Sequence, residues 1–271
     1  MKHIFLDNGR KVAIYFIGKK LTPGAIPLVL IHGFCEDASL WNTLAPHLTE
    51  IPVVAIDLPG FGGSDVPESP VMAEYAAAVI AVLDQLAVNR CVLVGHSLGG
   101  YTALAFAAGW GDRLAGLGLF HAHPYPDHAD RKAVRMRGIA MLEAGKRNLF
   151  VAQLFPNLFA TAFALKHPEI LQKMVETGQR QSAEGISAAL LAMMSRLDHQ
   201  ETLRTTSYPV LFLLGDEDGL VPLTEAWKAA LLPDFTSITI LPNVAHMGMF
   251  EAPEASAAAL LAFYALSKSK Y

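Results

Sequence analysis

Apolar positions in the first 120 residues fall into two alternating patterns. Unbroken runs at Leu28 to Ile31, Val53 to Ile56, Cys91 to Val94 and Leu114 to Phe120 read as strands buried on both faces. Between them, Ser39 to Leu48 and Ala73 to Leu86 carry helical spacing. In the second, Tyr75, Val79, Val82, Leu83 and Leu86 fall on one face. A further helix runs from the residue after Ser97 to about Trp110. Ahead of this series, Ile4 to Leu6 and Val12 to Ile17 flank Asp7-Asn8-Gly9, a hairpin with a favoured turn pair. Strand–helix alternation of this kind predicts an α/β fold, a mostly parallel, doubly wound sheet whose ligands bind beyond the carboxyl ends of the strands.

The alternation stops near residue 122. Up to residue 206 the chain has helical patches at 129–145, 147–155, 168–178 and 183–197 and no convincing strand. A stretch of that length between strands is an inserted helical cap or lid. The expected organisation is therefore a core of 1–121 and 207–271 with a cap at 122–206. The apolar side chains Phe150, Leu154, Phe155, Phe159, Phe163, Leu190, Met193 and Met194 either line a pocket or form the insert's own core. Arg131, Lys132, Arg135 and Arg137 read as a solvated helix face. Alternation resumes with the strand Val210 to Leu214, a helix around 224–232, the strand Ser237 to Leu241 and a helix from Pro253 to about Ser267. The tail Lys268 to Tyr271 reads as a frayed end.

Composition narrows the functional classes. With 271 residues, 52% of them apolar, the chain can bury a large core. A net charge of −4 and only 17% charged residues, with no basic run longer than a pair, argue against a nucleic-acid partner. Two cysteines, Cys35 and Cys91, suit a reducing cytosol. Asp7 interrupts the N-terminal apolar run too early for a signal peptide. Residues 91–111 hold no charged side chain, but the glycines in their middle favour a buried strand-turn-helix over a membrane span. A cytoplasmic protein without membrane association is expected, and its oligomeric state is not legible.

The chemistry centres on Gly95-His96-Ser97-Leu98-Gly99. A strand, a sharp turn with small flanking residues and a helix would hold the Ser97 hydroxyl exposed at the carboxyl edge of the sheet. The N–H of Leu98, opening the helix, is free to face an anion. A serine needs a base. Of ten histidines, His246 lies in the loop after the last strand, on that same edge. Asp216, Glu217 and Asp218, after the strand Val210 to Leu214, compete for the role of acid.

These stretches resemble the α/β-hydrolase superfamily, in its serine-nucleophile, esterase-like branch with a helical cap. The resemblance covers nearly the whole chain. Its Gly-x-x-Asp-x-x-Val-Pro context selects Asp218, in the family's order Ser97, Asp218, His246. It implies Phe34, after His32-Gly33, as the second oxyanion donor beside Leu98. The loop Asp57 to Asp65 also matches, with one glycine more than the usual Gly-x-Gly-x-Ser spacing.

The implied function is a serine hydrolase cleaving a small or medium soluble carboxylic ester through an acyl-enzyme, with no cofactor and no metal. A C–C bond hydrolase, a thioesterase and a cofactor-free perhydrolase would use the same residues. From another class, a ligand sensor on a hydrolase scaffold could keep them with slow turnover. His121, His123, Met193 and Met247 are candidates for the substrate pocket. His121, His123 and His128 together lack the carboxylate or cysteine spacing of a metal site.

Overall fold

The computed structural model describes residues 1–269, so the last two residues of the tail expected to fray lie outside it. Strands β1 (Lys2–Phe5) and β2 (Lys11–Gly18) form the hairpin, with Gly9 at φ +80° in its turn. Strand β3 (Leu28–Ile31) leads through two short 3₁₀ turns, Ala38–Thr43 and Ala45–His47, to β4 (Pro52–Ile56). Helix α1 (Met72–Gln85), β5 (Cys91–His96), α2 (Leu98–Trp110) and β6 (Leu114–Phe120) follow.

Between β6 and the next strand lie six helices: α3 (Ala129–Glu143), α4 (Arg147–Leu154), α5 (Thr161–Lys166), α6 (Pro168–Arg180), α7 (Ala183–Met194) and α8 (Gln200–Arg204). Then come β7 (Val210–Gly215), α9 (Leu223–Ala230), β8 (Thr236–Leu241), α10 (Gly248–Glu251) and α11 (Pro253–Lys268). Among the described residues no helix is long and apolar enough to cross a membrane.

The eight strands form one sheet in the order β1-β2-β4-β3-β5-β6-β7-β8. All pairs from β4 to β8 are parallel, whereas β1–β2 and β2–β4 are antiparallel. Every residue of β3, β5, β6 and β7 is buried, as expected of central strands covered by helices on both faces. This is the expected mostly parallel, doubly wound α/β sheet. The segment Ser39 to Leu48 forms two 3₁₀ turns, capped at the start by the Asp37 side chain. Because the central strands are parallel and adjacent, the ends of β3, β5, β6 and β7 open their loops along one edge of the sheet.

Candidate active site

At the end of β5 the backbone of Ser97 takes φ +50°, ψ −111°, a conformation costly for a residue with a side chain. Its neighbours explain the glycines on either side. A Cβ on Gly95 would stand 2.0 Å from the Gly99 carbonyl oxygen, and one on Gly99 would stand 2.5 Å from that of Ile31. The turn therefore closes only with hydrogen at both positions. The Ser97 N–H is held by the Phe120 carbonyl at the end of β6, 3.0 Å away.

His246 sits in the loop between β8 and α10. Its Nδ1–H donates to Asp218 Oδ2 over 2.8 Å. Nε2 is thereby left as the acceptor, and it is buried without a hydrogen-bond partner. Ser97 and His246 line the same cavity of about 180 Å³. Asp218 is fixed from the other side, because its Oδ1 accepts the N–H groups of Leu220 and Val221 at 2.8 and 3.0 Å. Burial alone would push its carboxyl up, but the imidazoles of His246 and His121 reverse this and hold it well below the usual carboxylate range. Asp216 and Glu217 are exposed, and Asp216 accepts the Val244 N–H at 3.3 Å. The three side chains picked out in the sequence thus meet in one place.

Phe34 lines the same cavity, and Leu98 opens α2 beside Ser97. Gly33, just before Phe34, donates its N–H to the buried Glu36 carboxylate at 2.6 Å. Glu36 also faces His96 Nδ1 at 3.2 Å, while His96 Nε2–H donates to the His246 carbonyl oxygen at 2.9 Å. Burial works against charge on His96, yet Glu36 and the His246 carbonyl raise its pKa above the ordinary value. A hydrogen-bonded bridge under the turn thereby ties together the loop after β3, the Ser97 turn and the His246 loop. Sequence reasoning missed Glu36. The only available signal was an acidic residue directly following the apolar β3–Phe34–Cys35 stretch.

A second carboxylate overlooked in the sequence is Glu251. It accepts the N–H groups of Ala160, Ala245 and Met247 at 2.8, 3.2 and 2.9 Å, and the His246 N–H donates to the Leu158 carbonyl. The loop carrying His246 is thus bonded directly to the helical segment. Asp57 organises the loop after β4. It accepts from Ala38, Gly63 and the Tyr15 hydroxyl at 2.7, 2.8 and 3.1 Å, while Ser64 Oγ donates to its carbonyl. His32 is structural, as its Nε2 accepts the Leu58 N–H at 2.9 Å.

The pocket candidates separate. Met193 lines the cavity with Phe150, Leu154 and Leu190. Phe155 and Phe159 are instead buried in the core, and Phe163 and Met194 pack against it. His121 is fully buried and lies behind Asp218, with Nδ1 3.0 Å from Oδ2 and Nε2 accepting the Gly248 N–H at 3.3 Å. It touches the acid and does not line the Ser97 cavity. His123 lines a neighbouring cavity, and Met247 is fully buried in the core. The solvated face expected of α3 also needs correction. Lys132 and Arg137 are exposed, but Arg131 and Arg135, four residues apart on one side of the helix, line the Ser97 cavity.

Among the described residues, one trio of potential ligand atoms comes within 4.8 Å: His121, Asp218 and His246. It differs from the trio considered in the sequence. The same atoms make the carboxylate–imidazole contacts just described, so a metal would compete with those contacts.

The sequence profile of the alpha/beta hydrolase family matches residues 28–259. The chain belongs to the alpha/beta hydrolase family. Within it, the chain is 31% identical over 248 residues to the dihydrolipoyllysine-residue acetyltransferase component of an acetoin cleaving system from Pseudomonas putida. That match covers 89% of this chain and 64% of the relative, so the hydrolase-family chain spans less than two thirds of that protein. It is 27% identical over 247 residues to 2-(acetamidomethylene)succinate hydrolase of Mesorhizobium japonicum, covering 89% and 88% of the two chains. Among solved structures, a thermophilic esterase from Thermogutta terrifontis with malate bound superposes with a TM-score of 0.90 at 28% identity, covering 98% of each chain.

Proposed function

We propose that this alpha/beta hydrolase is a serine hydrolase that cleaves a small or medium carboxylic ester through an acyl-enzyme. One observation carries the reading. His246 has Nδ1 committed to Asp218 and Nε2 buried without a partner, on the wall it shares with the strained Ser97.

In this mechanism Ser97 Oγ attacks the ester carbonyl while His246 Nε2 takes its proton. The negative charge that develops on the carbonyl oxygen is met by the N–H groups of Phe34 and Leu98, which cost no reorganisation because backbone holds them. The imidazolium formed is stabilised by Asp218, ionised throughout because its pKa is held low. His246 then returns the proton to the departing alkoxide. Water, deprotonated by the same Nε2, attacks the acyl-enzyme carbonyl, the acyl–Oγ bond breaks as His246 gives that proton back to Ser97 Oγ, and the acid is released. The apolar side chains Phe150, Leu154, Leu190 and Met193 shed water from the cavity and strengthen these electrostatic interactions. The likeness to the Thermogutta terrifontis esterase supports the ester reading.

The test is hydrolysis of short-chain p-nitrophenyl esters without added metal, together with fluorophosphonate labelling mapped by peptide mass spectrometry. The label is expected on Ser97 alone, and Ser97→Ala is expected to lower kcat by about 10⁴-fold or more. Labelling of another residue, or full activity in Ser97→Ala, refutes the proposal. Running thioesters and vinylogous 1,5-diketones in the same panel separates the thioesterase and C–C hydrolase alternatives.

A further inference from the structure

The base of the helical segment carries more positive charge than it neutralises. Asp127, buried just ahead of α3, is shared by two arginines. Arg135 grips it through Nε and a terminal nitrogen, and Arg196 reaches Oδ1. Arg196 is further used up by the carbonyls of Tyr125 and Met193 at 3.0 Å each, and it lies 4.1 Å over the Tyr101 ring. Burial would raise the Asp127 pKa, but the two guanidinium groups hold it below the ordinary value. One acid and two bases are therefore accounted for, and the site is already cationic.

Arg131 comes in addition. It is one helical turn before Arg135, on the same inward side of α3, and among the described residues no carboxylate lies within ion-pair distance of it, although Glu36 lines the same cavity. Its single hydrogen bond runs from a terminal nitrogen to the Leu220 carbonyl at 3.2 Å. A guanidinium offers five N–H donors in a planar fork, so most of this one is uncommitted. Its position gives the excess a use. Arg131 lines the 180 Å³ cavity that holds Ser97 and His246, and also a neighbouring cavity of about 560 Å³. Apolar side chains make up most of the remaining wall, with Glu36 and the Asp127-paired Arg135 beside them. An unpaired cation on such a wall is costly unless an anion meets it.

We propose that Arg131 anchors a carboxylate on the substrate, a few carbons from the scissile carbonyl, so that the substrates are half-esters of short dicarboxylic acids or related carboxylate-bearing esters. This rests on the hydrolase reading above. Two features favour a carboxylate over a phosphate. Of the three guanidinium groups only that of Arg131 lacks a carboxylate partner, which suits one monoanion, and its fork pairs with the planar carboxylate through two parallel hydrogen bonds. The small volume beside Ser97 limits the spacer to a short chain. Arg131 is then a specificity residue, and the carboxylate replaces the partner that Asp127 supplies to Arg135 and Arg196.

The experiment has a binding arm and a kinetic arm. In Ser97→Ala protein, calorimetry compares monomethyl glutarate with methyl valerate, which lacks the carboxylate. In active protein, kcat/KM is compared for p-nitrophenyl hemiglutarate and p-nitrophenyl valerate. The charged ligand is expected to be favoured about tenfold or more in at least the binding arm, as for one charge-assisted pair. Arg131→Met should collapse the ratio towards one and Arg131→Lys should keep part of it. Lys132→Met, which removes the exposed charge next door, should leave the ratio as it was. An absent preference in protein with Arg131 intact overturns the inference without needing any variant to fold, and so does a preference that survives in folded Arg131→Met. If neutral esters turn over at Ser97 with no carboxylate preference, the hydrolase reading stands and this inference fails. If monomethyl glutarate binds through Arg131 while no ester is cleaved, the reverse holds.

Discussion

At the scale of single residues, the acid of the proposed triad serves two imidazoles. The His121 Nε2 accepts from Gly248, so its neutral form carries the proton on Nδ1, 3.0 Å from Asp218 Oδ2 but off the line of a hydrogen bond. Burial, only partly offset by Asp218, lowers the His121 pKa to about 4, which keeps the ring neutral near pH 7. It therefore steers Asp218 as a dipole and adds no charge to compete with His246. His121→Phe should lower kcat by about tenfold, the equivalent of one lost polar contact, with KM little changed because the ring does not touch the cavity. Steady-state kinetics on a p-nitrophenyl ester, with the pH profile of kcat, checks this against a merely structural effect. Ser97 and His246 were legible from their place in the turns and loops that follow strands, whereas position left Asp216, Glu217 and Asp218 competing and only the family resemblance chose Asp218. Glu36, Glu251 and the inward turn of Arg131 were not. Their partners lie far along the chain, as with Glu36 and His96, and an i, i+4 pair of arginines reads the same on a wet or a buried face.

At the scale of elements, the helical segment meets the core at a joint between backbones. The Gly60 loop, with φ +87°, presses on the first turn of α7, where a Cβ on Gly185 would stand 2.0 Å from the Gly60 carbonyl oxygen. Next to it, Gly62 donates its N–H to Gln181 Oε1 at 2.9 Å. This accommodates the additional glycine in the loop from Asp57 to Asp65. One glycine lets the chain approach α7 and another bonds to Gln181, two residues ahead of it. Gly185→Ala is expected to force α7 off the loop at a cost of about 1–3 kcal/mol, lowering Tm by about 5 °C in a calorimetric scan. Long helices and central strands were readable from their periodicity. Helices α5, α8 and α10 run six, five and four residues, too short to display a period, and none was anticipated.

At the scale of the molecule, buried histidines set the response to acid. Burial lowers the pKa of His121 to about 4 and, together with Arg196 and Arg131, that of His123 to about 3. Unfolded, both would titrate near 6.5. As pH falls below 6.5 the unfolded chain binds these protons and the folded chain does not, so stability drops by about 1.4 kcal/mol per pH unit for each histidine. His96 has the opposite sign: its raised pKa contributes stability below 6.5 that fades as pH climbs through the folded value. His121 and His123 together should remove about 4 kcal/mol between pH 7 and pH 5 and His96 returns part of it, so urea unfolding should show a net loss below that figure, smaller still in His123→Gln. Alternation of strands and helices implied a parallel sheet. It could not give the strand order or the antiparallel seam between β2 and β4, since neither is encoded in the local pattern. The two cavities that share Arg131 were equally beyond it, being made by α3 against helices and loops from distant parts of the chain.

The twisted backbone at Ser97 has an implication for how such a chain persists through generations. Held at φ +50°, ψ −111°, that residue spends folding free energy each time the protein forms, and a glycine there would relieve the steric part of the strain. A lineage judged only on staying folded would drift away from a side chain at this position. A side chain kept at this angle, between Gly95 and Gly99 whose Cβ positions are taken by neighbouring backbone, is what the proposed role of the hydroxyl as nucleophile asks of the turn.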